Sequence, residues 1–371
     1  MNLGTATGLT CNAASSTIVP RVACPDPRLQ APFKLGTHIL ANRVFVAPMA
    51  GVTDRPYRRL CRDLGAGYAV SEMAASNPRL WASVKTSRRL NHDGEPGPLA
   101  VQLAGADPTM MAEAARFNVD RGAQVIDLNM GCPAKKVCNV SAGSALMGDV
   151  PLALRIIEAV VAAVDVPVTV KMRTGPDPAR RNAPQLARDM AHAGVRLITV
   201  HGRTRACAFT GNAEYDTIAA VKQAIDIPVV ANGNIDSPAK AAFVLARTGA
   251  DAVMIGRAAQ GKPWIFREVA HFLEHGTLMA PPSLQEIAGV LREHLVDHYA
   301  FYGESAGPRI ARKHIGWYLD GWCEARGVST DVEHDELRRL RSAINRSEHP
   351  TEQLMLLDAY LDHADDKASI H

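Results

Sequence analysis

Val125-Ile126-Asp127-Leu128-Asn129-Met130-Gly131-Cys132-Pro133-Ala134-Lys135-Lys136-Val137 is the stretch on which the reading of this fold turns. Its first four residues form a short apolar run of strand length, Asn129 and the Gly-Cys-Pro turn end that run, and a helical pattern follows. This is the front half of a βα unit. A cysteine at such a strand end, followed by proline and two lysines, is poorly explained by packing. It is placed to give or take a proton.

Seven further runs of the same kind extend outward from it. Val44-Phe45-Val46-Ala47, Tyr68-Ala69-Val70-Ser71 and Leu99-Ala100-Val101-Gln102 precede it. Val168-Thr169-Val170-Lys171, Leu197-Ile198-Thr199-Val200, Val229-Val230-Ala231 and Ala252-Val253-Met254-Ile255 follow. Their starts lie roughly 23 to 43 residues apart, enough for a strand, a helix and two loops. Helical periodicity fills the gaps: residues 151–164 are apolar at Leu152, Ile156, Ile157, Val160 and Val161, and 185–193 and 238–247 read the same way. Eight alternating units predict an α/β fold of the (β/α)8 (TIM) barrel type over residues 36–280. The competing doubly wound sheet lacks its dinucleotide signature, because Gly65-Ala66-Gly67 precedes a strand instead of opening a helix. After Pro281-Pro282 only helical periodicity remains, opening on the capping box Ser283-Leu284-Gln285-Glu286. Residues 281–371 therefore read as an all-helical, four-helix-like unit, and 1–35 as a loose arm rich in Ser, Thr, Ala and Pro.

Composition narrows the class. With 47% hydrophobic and 21% charged residues the chain can build a large core, and its net charge of +3 announces no nucleic-acid binder, so any basic footprint is local. Seven cysteines, odd in number and without a CxxC pair, fit reduced thiols in a cytoplasm better than a disulfide framework. No apolar run reaches membrane-spanning length and no secretory leader stands at the start. No membrane and no metal are expected, and a monomer is.

In a barrel, residues at the carboxyl ends of the strands face the active site. Those ends read Pro48-Met49-Ala50, Glu72, Gln102, Asn129 with Cys132, Lys171 with Arg173, His201, Asn232-Gly233-Asn234 and Gly256-Arg257. A lone histidine or glutamine there often serves only a local hydrogen bond, but eight polar or special ends in succession are not a packing requirement. Gly233 and Gly256 suit a phosphate grip in the loops after strands seven and eight, with Arg257 adding charge, although glycines also simply turn a chain. Lys171 needs an anionic partner: a ligand, or a salt bridge to Glu72 or Asp127.

These segments together resemble the flavin-dependent tRNA-dihydrouridine synthases, in the branch of the bacterial B-type enzymes. The motifs are APMAGVTD (47–54), NMGCPAKKV (129–137), VKMRTG (170–175), VHGRTRAC (200–207), ANGNI (231–235), MIGRAAQGKPWIF (254–266) and ARKHIGWY (311–318). The resemblance implies FMN held near Pro48, Met49, Ala50, Gln102, Lys171 and His201, its phosphate on Asn232, Gly233, Asn234, Gly256 and Arg257. It implies that NADPH is the reductant, that hydride reaches C6 of a uracil in tRNA, and that Cys132 protonates C5. A thiol, with an ordinary pKa near 8.5, is largely protonated at neutral pH and can act as that acid; Lys135, Lys136 and a helix start would oppose this by favouring thiolate. Asn129, Arg173 and Arg203 are expected on the substrate side. Asn234 stands where many relatives carry an acidic residue, and Cys138 is read as a small buried residue or a partner thiol.

Candidate tRNA contacts are the basic clusters Lys85/Arg88/Arg89, Arg173/Arg180/Arg181, Arg203/Arg205 and Arg309/Arg312/Lys313. In the last of these, charge shares a helix face with Trp317. The helical unit carries 10 Lys/Arg against 16 Asp/Glu, so RNA contact is expected only on the 309–317 face, with Arg338, Arg339 and Arg341 on a solvated one. Two rivals remain: a flavin barrel acting on a small molecule, and a tRNA-binding factor without turnover.

Overall fold

The computed structural model describes Leu29 and residues 31–139, 141–327 and 331–368. Most of the arm expected at 1–35 lies outside these residues. Its last part does not behave as an arm, because β1 (Phe33–Leu35) pairs antiparallel with β2 (His38–Leu40). Nine parallel strands follow: β3 (Val44–Val46), β4 (Tyr68–Ala69), β5 (Ala74–Ala75), β6 (Ala100–Ala104), β7 (Val125–Met130), β8 (Val168–Arg173), β9 (Leu197–His201), β10 (Val229–Asn232) and β11 (Ala252–Ile255). Their order is β4-β3-β11-β10-β9-β8-β7-β6-β5. A parallel bridge from Val70 to Ala100 closes the ring, so β4 and β5 are two pieces of one stave, interrupted at 71–73. The eight-stave (β/α)8 barrel expected from the sequence is what forms.

Strand alternation assigns each side chain to one of two sides. Val44, Val46, Val101, Leu103, Ile126, Leu128, Val170, Met172, Ile198, Val200, Val253 and Ile255 pack with the surrounding helices. The alternate residues point inward. Ala100, Val125, Leu197, Val230 and Ala252, at the strand starts, pack with Phe33, Leu35 and Leu40, so the β1–β2 hairpin plugs the amino-terminal end of the barrel. The same parity carries Gln102, Asp127, Asn129, Lys171, His201 and Asn232 into the interior farther along. The barrel helices share a start signal: Asp54, Asp107, Asp149 and Ser237 cap helices with proline in the first turn.

Beyond the barrel, the helix Leu284–Arg326 is broken at Gly303 (φ 79°), and Asp331–Arg346 and Pro350–Ala368 complete four helical segments. Ser283 caps the first as expected, its hydroxyl accepting from the Glu286 N–H. Leu291, Leu295, Ile315, Leu319, Trp322, Ile344, Leu357 and Leu361 form its core, with Trp264 contributed from the barrel side. The buried Gln353 ties three segments together, accepting from the Tyr299 hydroxyl at 2.7 Å and donating to the Pro308 and Ile344 carbonyls. No helix among the described residues is long and apolar enough to cross a membrane.

Candidate active site

A cavity of about 990 Å³ opens at the carboxyl end of the barrel. Every strand-end residue expected to hold the cofactor lines it: Pro48, Met49, Ala50, Gln102, Lys171, His201, Asn232, Gly233, Asn234, Gly256 and Arg257. Cys132, Asn129, Arg173 and Arg203 line it too. Glu72 does not; it is buried beside the wall and paired with Arg89 at 3.2 Å.

The floor is a fixed network. Asp127, buried among apolar strand residues, accepts from Gln102 Nε2 at 2.7 Å and from the Thr169 hydroxyl at 2.6 Å, and burial raises its pKa. Gln102 Oε1 in turn accepts from Asn129 Nδ2 at 2.7 Å, and Asn129 Oδ1 accepts from the Cys132 N–H at 3.0 Å. This chain sets the amide orientation of Gln102 and the turn that carries Cys132. The Cys132 carbonyl accepts from both the N–H and the hydroxyl of Ser144. Gly143 permits that approach, since a Cβ there would lie 2.8 Å from the same carbonyl oxygen. The helix after Cys132 is a single turn, Lys135–Cys138, too short for a strong dipole. The side chains of Lys85, Lys135 and Lys136 lie outside the described residues. Cys138 is half-buried, its sulfur 3.5 Å from the Cys132 carbonyl.

Lys171 pairs with neither Glu72 nor Asp127 directly. It donates to Asn232 Oδ1 at 2.9 Å, and burial, with Arg173 nearby, lowers its pKa to about 8. Asn232 Nδ2 is occupied by the Met254 carbonyl. Arg173 donates to the carbonyls of Gly131, Thr204 and Ala208. Arg203 reaches the Gly211 carbonyl and Asn234 Oδ1, both at 2.6 Å, and lies 3.2 Å from His201 Nε2. Asn234, at φ 49°, thus binds Arg203 through its amide oxygen. Burial, reinforced by Lys171, Arg173, Arg203 and Arg257, pushes His201 down to about 2, so it is a neutral hydrogen-bonding ring at physiological pH.

The two glycines differ. Gly233 has φ 123°, and a Cβ would meet Ala213 at 2.8 Å and His201 at 3.0 Å. Gly256 would accept a Cβ at ordinary contact distances, the nearest atoms being 3.5 Å away. The helix dipoles expected there are modest: a three-residue turn, Arg257–Ala259, follows β11, and the helix after β10 starts only at Pro238. Positive charge is the stronger feature. Lys171, Arg173, Arg203 and Arg257 line the cavity against one carboxylate, Asp236, a charge balance that favours an anion. An apolar wall at 48–50, amide donors and acceptors on the floor and this cation set fit the ring and anionic tail of a flavin. Met73 and Phe209 also line it and were not singled out in the sequence. Phe209 lies under the guanidinium groups of Arg173 and Arg257.

Arg309, Arg312 and Lys313 do not line the cavity. Arg309 is exposed, Arg312 donates to the Ser347 carbonyl, and Lys313 donates to the Gly51 carbonyl on the loop after β3. Trp317 is not the free platform expected: it is half-buried against the barrel core, and its carbonyl stands where a Cβ on Gly261 would fall. Among the other clusters, Arg88 donates to the Tyr302 carbonyl, Arg180 pairs with Asp177, and Arg181 with Glu214.

The barrel, the cation-lined cavity and the strand-end thiol belong to an enzyme of the flavin-dependent oxidoreductase type, the class of its family. The chain belongs to the dihydrouridine synthase (Dus) family, whose model matches residues 45–365. It is 55% identical over 329 residues to tRNA-dihydrouridine synthase B of Xanthomonas campestris pv. campestris, covering 89% of this chain and 96% of that one. It is 59% identical over 286 residues to the Pseudomonas aeruginosa protein of the same name, covering 77% and 86%. Among solved structures, a 2-naphthoyl-CoA reductase complex (TM-score 0.51, 14% identity) and a Rhizobium histamine dehydrogenase (0.51, 14%) share the fold. The matches cover 65% and 72% of this chain and about half of each of those longer proteins.

Proposed function

We propose that this protein is a B-type tRNA-dihydrouridine synthase, which reduces the C5=C6 bond of uridine in tRNA with NADPH as reductant and FMN as bound cofactor. The observation that carries the reading is the joining of the cation-lined cavity to a thiol whose turn is held by the Gln102–Asn129 chain. When bound, FMN supplies the hydride that reaches C6 of the uracil ring. Pro48, Met49 and Ala50 form the apolar wall against the ring system, Gln102 and Lys171 meet its polar edge, and Gly233, Asn234, Gly256 and Arg257 receive the phosphate. Lys171, in its cationic form, supplies positive charge against that edge. Cys132 gives its proton to C5 as the double bond is reduced. His201, neutral and hydrogen-bonded, orients a partner instead of donating a proton. Asn129, Arg173 and Arg203 face the substrate side.

A uridine in folded tRNA must leave its stack to enter the cavity, at a cost of a few kcal/mol. The helical unit, residues 281–371, supplies the backbone contacts that offset this cost, with Arg309 as the exposed cation on the 309–317 face and Arg312 and Lys313 beside it. The protein works in the cytoplasm, where its thiols stay reduced, and as a monomer.

The test is an anaerobic assay of the purified protein with NADPH and unmodified tRNA, following the visible absorbance. Bleaching by NADPH and recovery on adding tRNA, with dihydrouridine formed, is the expected result. Bleaching without recovery on tRNA favours a small-molecule acceptor, and a colourless protein that binds tRNA favours a non-catalytic factor.

A further inference from the structure

A second cluster of chemistry-bearing residues lies outside the cavity, where the barrel meets the broken helix. Asp54 ends the loop after β3, His298 precedes the break at Gly303, and His314 follows it. All three are buried, and one ligand atom from each lies within 4.8 Å of the others, the one such grouping among the described residues. His298 Nδ1 is 3.8 Å from Asp54 Oδ2. We propose that Asp54, His298 and His314 form a binding site for a single divalent transition-metal ion of the zinc class.

Two independent observations support it. The first is the donor set: two imidazoles and a carboxylate is a combination that zinc accepts, with a remaining position for water or a further ligand. At metal–ligand distances of about 2.0–2.2 Å, ligand atoms of a tetrahedral ion stand about 3.3 Å apart, so small side-chain rotations close the present spacing. The second is the set of orphaned nitrogens. Nε2 of His314 is buried without a hydrogen-bond partner, as are both ring nitrogens of His294, whose ring centroid is 4.9 Å from that of His314, while the buried His298 ring meets the Gly307 backbone. Unmet buried polar atoms cost about 1–3 kcal/mol each, so a cluster of them implies a missing partner.

The surroundings suit a cation. Asp54 Oδ1 accepts from the Tyr57 N–H and Oδ2 from the Tyr302 hydroxyl at 2.9 Å, neutral donors that orient the carboxylate and leave lone pairs for a metal. The nearby Arg58 is already taken by Glu95 and the Thr53 carbonyl. Lys313 points to the Gly51 carbonyl, and Glu72 pairs with Arg89. An ion here joins the 48–54 loop, one wall of the cavity, to both halves of the broken helix.

The experiment uses the untagged full chain, dialysed against a chelator and then titrated with Zn2+ in competition with a chromophoric chelator, and separately with Co2+. One equivalent of Zn2+ per chain is expected, weakened more than about 100-fold in His298→Gln and His314→Gln, since loss of a direct ligand exceeds the 10–100-fold of an outer-shell partner. Circular dichroism checks that the variants fold. If they do not, the wild-type Co2+ spectrum decides: visible bands of a tetrahedral nitrogen–oxygen site are expected, without thiolate charge transfer. Absence of stoichiometric binding, a thiolate band, or undiminished Zn2+ binding in the folded variants overturns the proposal.

Discussion

Lys171→Met should stabilise the apoprotein at neutral pH while weakening its hold on FMN, and the pH dependence makes the case testable. Lys171 titrates at about 8 in the fold against an ordinary 10.5, with burial as the main cause. The folded pKa is depressed, so the cost of holding the charge is fully present below pH 8 and is relieved as pH rises from 8 toward 10.5. At 1.36 kcal/mol per unit, the full penalty is about 3 kcal/mol, and about 2 kcal/mol of it is relieved between about pH 7 and 9.5. Methionine removes the penalty at every pH but leaves Asn232 Oδ1 without its donor, at a cost of about 1 kcal/mol or more where water does not replace it. Urea unfolding of apoprotein should therefore show the variant as stable as, or up to about 2 kcal/mol more stable than, wild type at pH 7, with that advantage shrinking by about 2 kcal/mol at pH 9.5. FMN affinity, read by fluorescence quenching, should fall in the variant and lack the decline expected of wild type above pH 8. A difference between the two proteins that does not change with pH would refute the account of Lys171 as a buried, ligand-seeking cation.

Other perturbations test other parts of the site. Cys132→Ala should retain FMN, because the structural hydrogen bonds of that residue are all backbone, and should lose about 10²- to 10⁴-fold in turnover, the range of a general acid; near-normal turnover would remove the thiol from the mechanism. Gly233→Ala forces a side chain into φ 123° and onto Ala213, a strain of about 1–3 kcal/mol before the overlap is counted, and should lower both the melting temperature and FMN affinity, whereas Gly256→Ala should be far milder. Arg309→Ala should flatten the salt dependence of tRNA binding by a slope of about 0.7–0.9, and an unchanged slope would place the RNA elsewhere.

The barrel was legible because its signal is local and repeated. Each stave is a short apolar run, and stretches between the staves carry a 3.6-residue period. The strand-end residues were legible for a related reason: once the staves are counted, the fold itself sends their ends to one face. What escaped was whatever depends on a side chain's choice among several neighbours. Lys171 could have paired with Glu72 or Asp127; Glu72 was claimed by Arg89 and Asp127 by Gln102 and Thr169, which left Lys171 to Asn232. Trp317 follows the same logic, since its sequence spacing with Arg309 and Lys313 shows a shared helix face but not which face the barrel covers.

The Asp54–His298–His314 cluster is the limiting case of that blindness. His294 and His298 stand four residues apart on one helix face, a spacing that by itself signals little. Their relation to His314 depends on the break at Gly303, where φ 79° turns the chain and brings the second half of the helix back beside the first. Their relation to Asp54 depends on docking a carboxyl-terminal helix against a loop some 240 residues earlier in the chain. Asp54 already has a local role as the cap of the helix Arg55–Asp63, and that role alone explains an aspartate before Arg-Pro in the sequence. A cap, however, uses one carboxylate oxygen. The other is turned toward Tyr302 and His298, in a pocket of imidazoles with unmet nitrogens, and it is this second use that only the folded chain reveals.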